Sequence, residues 1–470
     1  METAEFPPVI VDPWGYTLRS HHFDQIDDLP HYYVKKPESL VSTSVPKALY
    51  VGTGLSIFTR ALLPAILNAK HSVHFVTCYW AASPTLDSFR EALERLAAER
   101  SELADTEPLD ITIGFSSWGL FQKLFHTSSS GGQIYPPGKW AKLGLPSEAT
   151  LRKGNMTMTV KTLFFTPFSV MHPKYLVVDG ARAWVPSCNV SWERWFEGCV
   201  EVEGQVVGQI LNFHSHVWGA HTEAPDQMAL SVNSNRSSKR VSMHTGGQQL
   251  SATQSLRFDG MMPVPTMFLP SPHHRNPRFK FFPFLAQSNP PMTPLNAALL
   301  TLFEKAQRNI TIVTPNVTSW PAMEALLEAL ERGVDVEIRT CKNMMTVEQL
   351  VTAGTTTKWC LKKFIKKYKA LAKCKPSDIE SQSAPGSLSI HYYRPLQTRL
   401  QEEDEPVLSH FKMTMVDDDY LVLGSGNMDR ASWWTSQEIG LLFYMPAFDG
   451  RKLWEGVLER RGELLFSSSE

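Results

Sequence analysis

A set of five polar residues occurs twice in this chain at a single offset, and no other feature limits the architecture as tightly. His172, Lys174, Asp179, Ser187 and Asn189 return as His410, Lys412, Asp417, Ser425 and Asn427, each 238 residues later. A carboxylate follows each copy, Glu201 at 29 residues past the first histidine and Glu438 at 28 past the second. Five matched polar identities imply a duplicated supersecondary unit. They are read as two half-sites that build one active site.

The flanking chain repeats as well. Strand-like runs at Lys47–Gly52, His71–Tyr79 and Leu109–Phe115 alternate with helical spacing over Ser56–Ala69 and Thr85–Glu102, where Ser83 and Pro84 supply a cap and a first-turn proline. The second half offers helix Thr293–Gln307, strand Ile310–Thr314, helix Ala322–Arg332, strand Val334–Arg339 and strand Ser387–Tyr393, with a final helix over about Gly450–Leu465. Alternation of this kind predicts an α/β protein of two similar α-β-α halves with mainly parallel sheets, related by a pseudo-twofold, with the site at their interface. The expected organisation is an irregular arm over 1–46, a first half over 47–225, a Ser/Pro-rich linker or surface loop over 226–290, and a second half over 291–470. The end of that linker (Phe279, Phe281, Phe282, Phe284) is expected to dock on the body.

Read as strand residues, His172 and Lys174 share a face, as do His410 and Lys412. Two ammonium groups with the amides of Asn189 and Asn427 and the hydroxyls of Ser187 and Ser425 suit a tetrahedral oxyanion, above all a phosphodiester acquiring charge as it is attacked. Two imidazoles suit a division of labour: one attacks phosphorus and becomes a phosphohistidine, and the other protonates the leaving alkoxide and then activates water or an alcohol. A carboxylate such as Glu201 or Glu438 on the far imidazole nitrogen would fix the tautomer.

This pattern resembles the phospholipase D superfamily, whose signature is His-x-Lys-(x)4-Asp followed by Gly-Ser-x-Asn. The second copy fits it in full, with Gly424 before Ser425; the first has Pro186 in place of the glycine. The resemblance covers roughly 47–222 and 291–465 and is closest to phospholipases D and cardiolipin synthase-type phosphatidyltransferases. It implies that His172 is the nucleophile and His410 the general acid and base. It implies further that Lys174, Lys412, Asn189 and Asn427 bind phosphate, that Asp179 and Asp417 are structural, and that neither metal nor cofactor is required. The expected activity is hydrolysis or phosphatidyl transfer on phospholipids. The alternatives are a nuclease or other nucleic-acid phosphodiesterase, and a non-catalytic scaffold that keeps the fold.

Composition narrows the partners. The net charge of −1 provides no global attraction for nucleic acid or an anionic surface, so such attraction has to be local. Six scattered cysteines form no CxxC pair and are expected to be reduced thiols in an intracellular compartment. No signal peptide or membrane-spanning run is apparent, so the chain is expected to be soluble or peripheral, and monomeric because both half-sites lie in it. The stretch 358–375 reads as a basic amphipathic helix: a solvated surface helix, a contact with anionic membrane through Lys362, Lys363, Lys366 and Lys367, or a nucleic-acid contact. Trp192, Trp195, Trp433 and Trp434 follow the two asparagines, as core residues or as the lining of the pocket mouth.

Overall fold

The computed structural model of the protein describes residues 5–25, 28–103, 106–119, 131–165, 169–219, 250–258, 261–273, 289–373, 384–446 and 454–469. The chain divides into two compact units. The first-motif unit comprises 42–268 with 402–406, and the second-motif unit comprises 1–41, 269–401 and 407–470. The N-terminal arm, expected to be irregular, is in part helical. Pro8–Ser20 is a helix, α1, with a proline at its start, where the missing N–H costs nothing. It belongs to the second-motif unit, where Trp14 is wholly buried and donates its indole N–H to the Pro294 carbonyl at 3.0 Å.

In the first-motif unit the strands are β1 (Val41–Thr53), β2 (Ser72–Tyr79), β3 (Leu109–Ser117), β4 (Met156–Thr162), β5 (Tyr175–Val178), β6 (Arg182–Pro186) and β7 (Trp195–Glu203). Their order is β1-β7-β6-β5-β2-β3-β4. Helix α2 (Pro84–Ser101) connects β2 to β3, and the Ser83 hydroxyl caps it by accepting from Leu86 N–H at 3.2 Å. Its apolar stripe packs Phe89 against Phe75 and Trp80. Helix α3 (Gln205–Val217) follows β7. The segment expected to be linker contains two strands, β8 (Gln254–Arg257), which pairs with β1, and β9 (Val264–Ser271). Its low-complexity run 231–240 and its Phe-rich end lie outside the described residues.

The second-motif unit repeats the plan. After α4 (Pro294–Lys305) come β10 (Asn309–Val313), α5 (Trp320–Glu331), β11 (Asp335–Thr340), helices α6 (Thr346–Ala353) and α7 (Thr357–Leu371), β12 (Leu388–Tyr393), β13 (Met413–Val416), β14 (Tyr420–Gly424), α8 (Arg430–Trp434), β15 (Glu438–Tyr444) and β16 (Gly462–Ser467). The order β15-β14-β13-β10-β11-β12 matches β7-β6-β5-β2-β3-β4 strand for strand. Of the helix expected over about Gly450–Leu465, Trp454–Leu458 and Glu459–Arg461 are helical turns, and the chain then forms a strand, β16, antiparallel to β12.

Both sheets are mixed. β2-β3-β4 and β10-β11-β12 are parallel and joined by helical crossovers, whereas every motif strand is antiparallel to its neighbours. The connection explains the change of direction. Only residues 179–181 separate β5 from β6, and only 417–419 separate β13 from β14. That is enough for a hairpin and far too short for a parallel crossover.

Candidate active site

Each hairpin is locked by its own aspartate. Asp179 adopts φ +53° and Asp417 φ +55°, the left-handed conformation that Asp tolerates better than most residues. One carboxylate oxygen of Asp179 accepts from the backbone N–H of Lys70 at 3.1 Å, His71 at 2.7 Å and Ser72 at 3.0 Å. The same atom of Asp417 accepts from Gln307 at 3.2 Å, Arg308 at 2.7 Å and Asn309 at 3.1 Å. Each aspartate thus pins the end of its motif strand to the start of the neighbouring strand, β2 or β10.

The His-x-Lys segments lie just before β5 and β13, outside the strands on which they were expected to share a face. Lys174 is wholly buried, and its Nζ donates to the His172 carbonyl at 2.9 Å. The arrangement in the second-motif unit is different: Lys412 Nζ stands 2.8 and 2.9 Å from the two ring nitrogens of His410, with both residues buried. His172 is half-buried. Beside His410, Cys341 bonds to the backbone of Ser409 on both sides, Sγ to O at 3.1 Å and N to Sγ at 3.2 Å. Burial pushes that thiol up to about 12 against the smaller, opposing effects of Ser409 and Lys412, so no thiolate competes with the imidazole.

The carboxylates stand differently from the sequence expectation. Ser187 donates its hydroxyl to Glu197 and accepts from Gly198 N–H at 2.9 Å. Ser425 donates to Glu438 and accepts from Ile439 N–H at 3.1 Å. Glu197, not Glu201, is therefore the counterpart of Glu438. Glu201 accepts from the Tyr50 hydroxyl at 2.8 Å and from Arg182 at 3.1 Å, and burial together with Glu201 raises the Tyr50 hydroxyl well above its ordinary value. Counting from histidine pointed to Glu201 because the second copy holds three more residues between its serine and its carboxylate, in the stretch that contains α8. Ser432, on α8, gives Glu438 a second hydroxyl at 2.7 Å. Glu197 is buried at 3% exposure and Glu438 at 0%, so both depend on such donors.

Asn189 Oδ1 accepts from Tyr79 N–H at 3.2 Å and lies 3.4 Å from the Thr77 hydroxyl, which leaves its NH2 to point elsewhere. Asn427 Nδ2 instead donates to Asp429 at 3.0 Å, and its buried Oδ1 has no hydrogen-bond partner among the described residues. The residue after each asparagine forms the same parallel bridge, Val190 with Trp80 and Met428 with Val317. Gly424 pairs with Gly440, and a Cβ there would run into the Ile439 carbonyl; Pro186 occupies the matching place opposite Cys199. In the second-motif unit, Lys412, Thr314, Gly424, Gly426 and Met428 line a small pocket. Of the four tryptophans, Trp433 is core at 1% exposure, Trp192 is exposed, and Trp195 and Trp434 are half-buried.

Residues 299–451 match the family described as "cardiolipin synthase, PLD-like domain". No curated protein matches the sequence. Among solved structures, the chain is similar to phosphatidylserine synthase from Haemophilus influenzae Rd KW20, with 14% identity, a TM-score of 0.54, and 90% of this chain and 89% of that one covered. Polyphosphate kinase from Porphyromonas gingivalis aligns at 10% identity over 84% of this chain and 47% of its own, with a TM-score of 0.41. The phospholipase D family member Nuc from Salmonella typhimurium aligns at 16% identity over 42% of this chain and 96% of its own, with a TM-score of 0.26. The family match falls on the half that carries the complete signature, and the fold of that half is built a second time around the first motif. Residues 299–451 thus carry the match to a phospholipase D-like domain, and the chain as a whole shares the fold of the phosphatidylserine synthase.

Proposed function

We propose that the protein is a metal-independent phosphodiesterase or phosphatidyltransferase acting on phospholipids, with the two motifs serving one reaction. The observation that carries this reading is the duplicated constellation: each unit holds a histidine, a buried lysine, and a buried glutamate bonded to the motif serine. A lone copy needs no function; two built to one plan do. The name of the matched family domain and that of the Haemophilus influenzae protein both favour a lipid substrate.

In the proposed reaction a ring nitrogen of His172 attacks phosphorus. The N–P bond forms as the P–O bond to the head group breaks, and the departing alkoxide takes a proton from His410. Water or an acceptor alcohol then loses its proton to His410 and attacks phosphorus, breaking the N–P bond and restoring His172. Lys174, Lys412, Asn189 and Asn427 balance the charge that gathers on the non-bridging oxygens. Glu197 and Glu438 hold the electrostatics of each half through Ser187 and Ser425. This assignment replaces Glu201 in that role.

The test is incubation in excess EDTA with phosphatidylcholine, with phosphatidylglycerol in the presence and absence of an added alcohol, and with single-stranded DNA. Release of phosphatidic acid, or head-group exchange, is expected. Cleavage of DNA alone would move the protein to the nuclease reading, and turnover no greater than that of His172→Ala would support a non-catalytic role.

A further inference from the structure

Helix α6 is built inside out. The residues it buries are Gln349 and Ala353, while Val347, Leu350 and Val351 face solvent, with Val347 at 76% exposure. Those three lie at i, i+3 and i+4, so they form one apolar strip. Met345, just before the helix, extends the exposed apolar surface. A helix of a globular protein normally turns such a strip to the core, and a contiguous exposed one marks a surface that meets something apolar. The polar side is firmly anchored: the Gln349 amide oxygen accepts from Thr357 N–H at 2.6 Å and from its hydroxyl at 3.0 Å, which fixes α6 against the start of α7.

The first turns of α7 add the matching chemistry. Trp359 is 60% exposed, and Lys358, Lys362 and Lys366 are exposed and make no ion pair among the described residues. Of the four lysines that the sequence offers for a membrane contact, two have other work. Lys363 lies 4.0 Å above the Trp320 ring, and Lys367 is 3.7 Å from Glu324. The apolar face of α7 is also spent, with Leu361, Phe364 and Tyr368 in the core. The apolar element is therefore on α6 and the basic one on α7, with Lys342 at the near end of α6 and Glu348 as the single carboxylate on that helix.

We infer that α6 and the first turns of α7 form a docking surface for an anionic phospholipid bilayer. Val347, Leu350 and Val351 enter the interface, Trp359 sits at head-group level, and Lys358, Lys362 and Lys366 meet lipid phosphates. The choice of a bilayer over a protein partner rests on that pairing of a short aliphatic strip with exposed lysines and an exposed tryptophan. Because α6 packs against α8, which follows Asn427 in the chain, the surface adjoins the second motif. Binding requires no turnover, so the inference stands apart from the proposed reaction.

The test is co-sedimentation of the full chain with sucrose-loaded vesicles of phosphatidylglycerol and phosphatidylcholine in equal parts, and of phosphatidylcholine alone. The wild-type chain is expected to prefer the anionic vesicles. The triple variant Val347→Ser, Leu350→Ser, Val351→Ser should bind them about tenfold more weakly or worse, with unchanged unfolding midpoint and unchanged size by light scattering. The variant Lys358→Gln, Lys362→Gln, Lys366→Gln should lose the preference for anionic vesicles. Wild-type-level binding by the serine variant would overturn the inference, as would equal binding of the wild type to both vesicle types. A dimer that the serine variant converts to monomer would assign the strip to a second copy of the chain instead. Turnover of a water-soluble short-chain phospholipid, measured alongside, separates the two claims: it fails if the proposed reaction is wrong and is untouched by the serine variant if only docking is lost.

Discussion

Ser187 donates its hydroxyl to Glu197, ten residues downstream, and so closes within the first-motif unit the same contact that Ser425 makes with Glu438. Glu201, four residues further on, belongs to a separate group with Tyr50 and Arg182. The two glutamates therefore have different consequences. Glu197→Gln should reduce turnover about 10- to 100-fold, the scale of a lost charged hydrogen bond. Glu201→Gln should stay within about threefold of wild type. Steady-state kinetics of both variants on one phospholipid substrate decides this, and the reverse order would restore Glu201 to the site.

The aspartates are predicted to matter for stability. Asp179→Ala strips the acceptor from three backbone N–H groups and removes a side chain suited to positive φ, and Asp417→Ala does the same in the other unit. Each should cost about 1–3 kcal/mol in urea unfolding. Asn at either position keeps one acceptor and the left-handed conformation, and should recover part of the loss.

The last strand residues before the motif serines should respond differently to substitution. Gly424→Ala forces a Cβ into the Ile439 carbonyl and the Gly440 backbone, at about 1–3 kcal/mol. Pro186→Gly relieves no such contact and should leave stability within about 1 kcal/mol of wild type. Thermal unfolding of the pair checks both.

How much of this was legible in the sequence varies by level. The repeat was plain because a motif that carries chemistry fixes residue identity as well as polarity, and the α/β alternation followed from hydrophobic period. The direction of the motif strands was not plain, because periodicity reports burial and not orientation; the three-residue hairpin at Asp179 held that information. Glu197 was missed because sequence spacing assumes equal loops, and the second copy inserts residues around α8 before Glu438. The helix α1 was missed because Pro7, Pro8 and Pro13 read as breakers, although a proline in the first turn favours a helix start. The final strand β16 was read as helix because Leu464 and Leu465 fit either period, and its pairing with β12 decides the outcome.

Acid should weaken the first-motif unit through a pair of histidines, His214 buried and His74 half-buried. His214 donates to or accepts from the Tyr175 hydroxyl at 2.9 Å, and its ring lies 4.7 Å from that of His74. Burial lowers both, helped at His214 by His74 and Lys161 and opposed at His74 by Asp110. A histidine whose folded value is lowered takes up its proton more readily when unfolded. Its stabilising contribution is therefore complete above the unfolded value of about 6.5 and is lost as pH falls below it. Urea midpoints should drop between pH 7 and pH 5, and His74→Gln should flatten that slope; a slope unchanged in the variant would remove His74 from the account.

Whether the two motifs serve one reaction is decided by turnover of phosphatidylglycerol in EDTA by wild type, His172→Ala, His410→Ala and an equal mixture of the two variants. Each variant is expected to lose activity by about a thousandfold or more, and mixing to restore nothing, since every chain then lacks one of its two imidazoles. Variants that each keep about half of the wild-type rate would show two independent sites and contradict a single shared reaction.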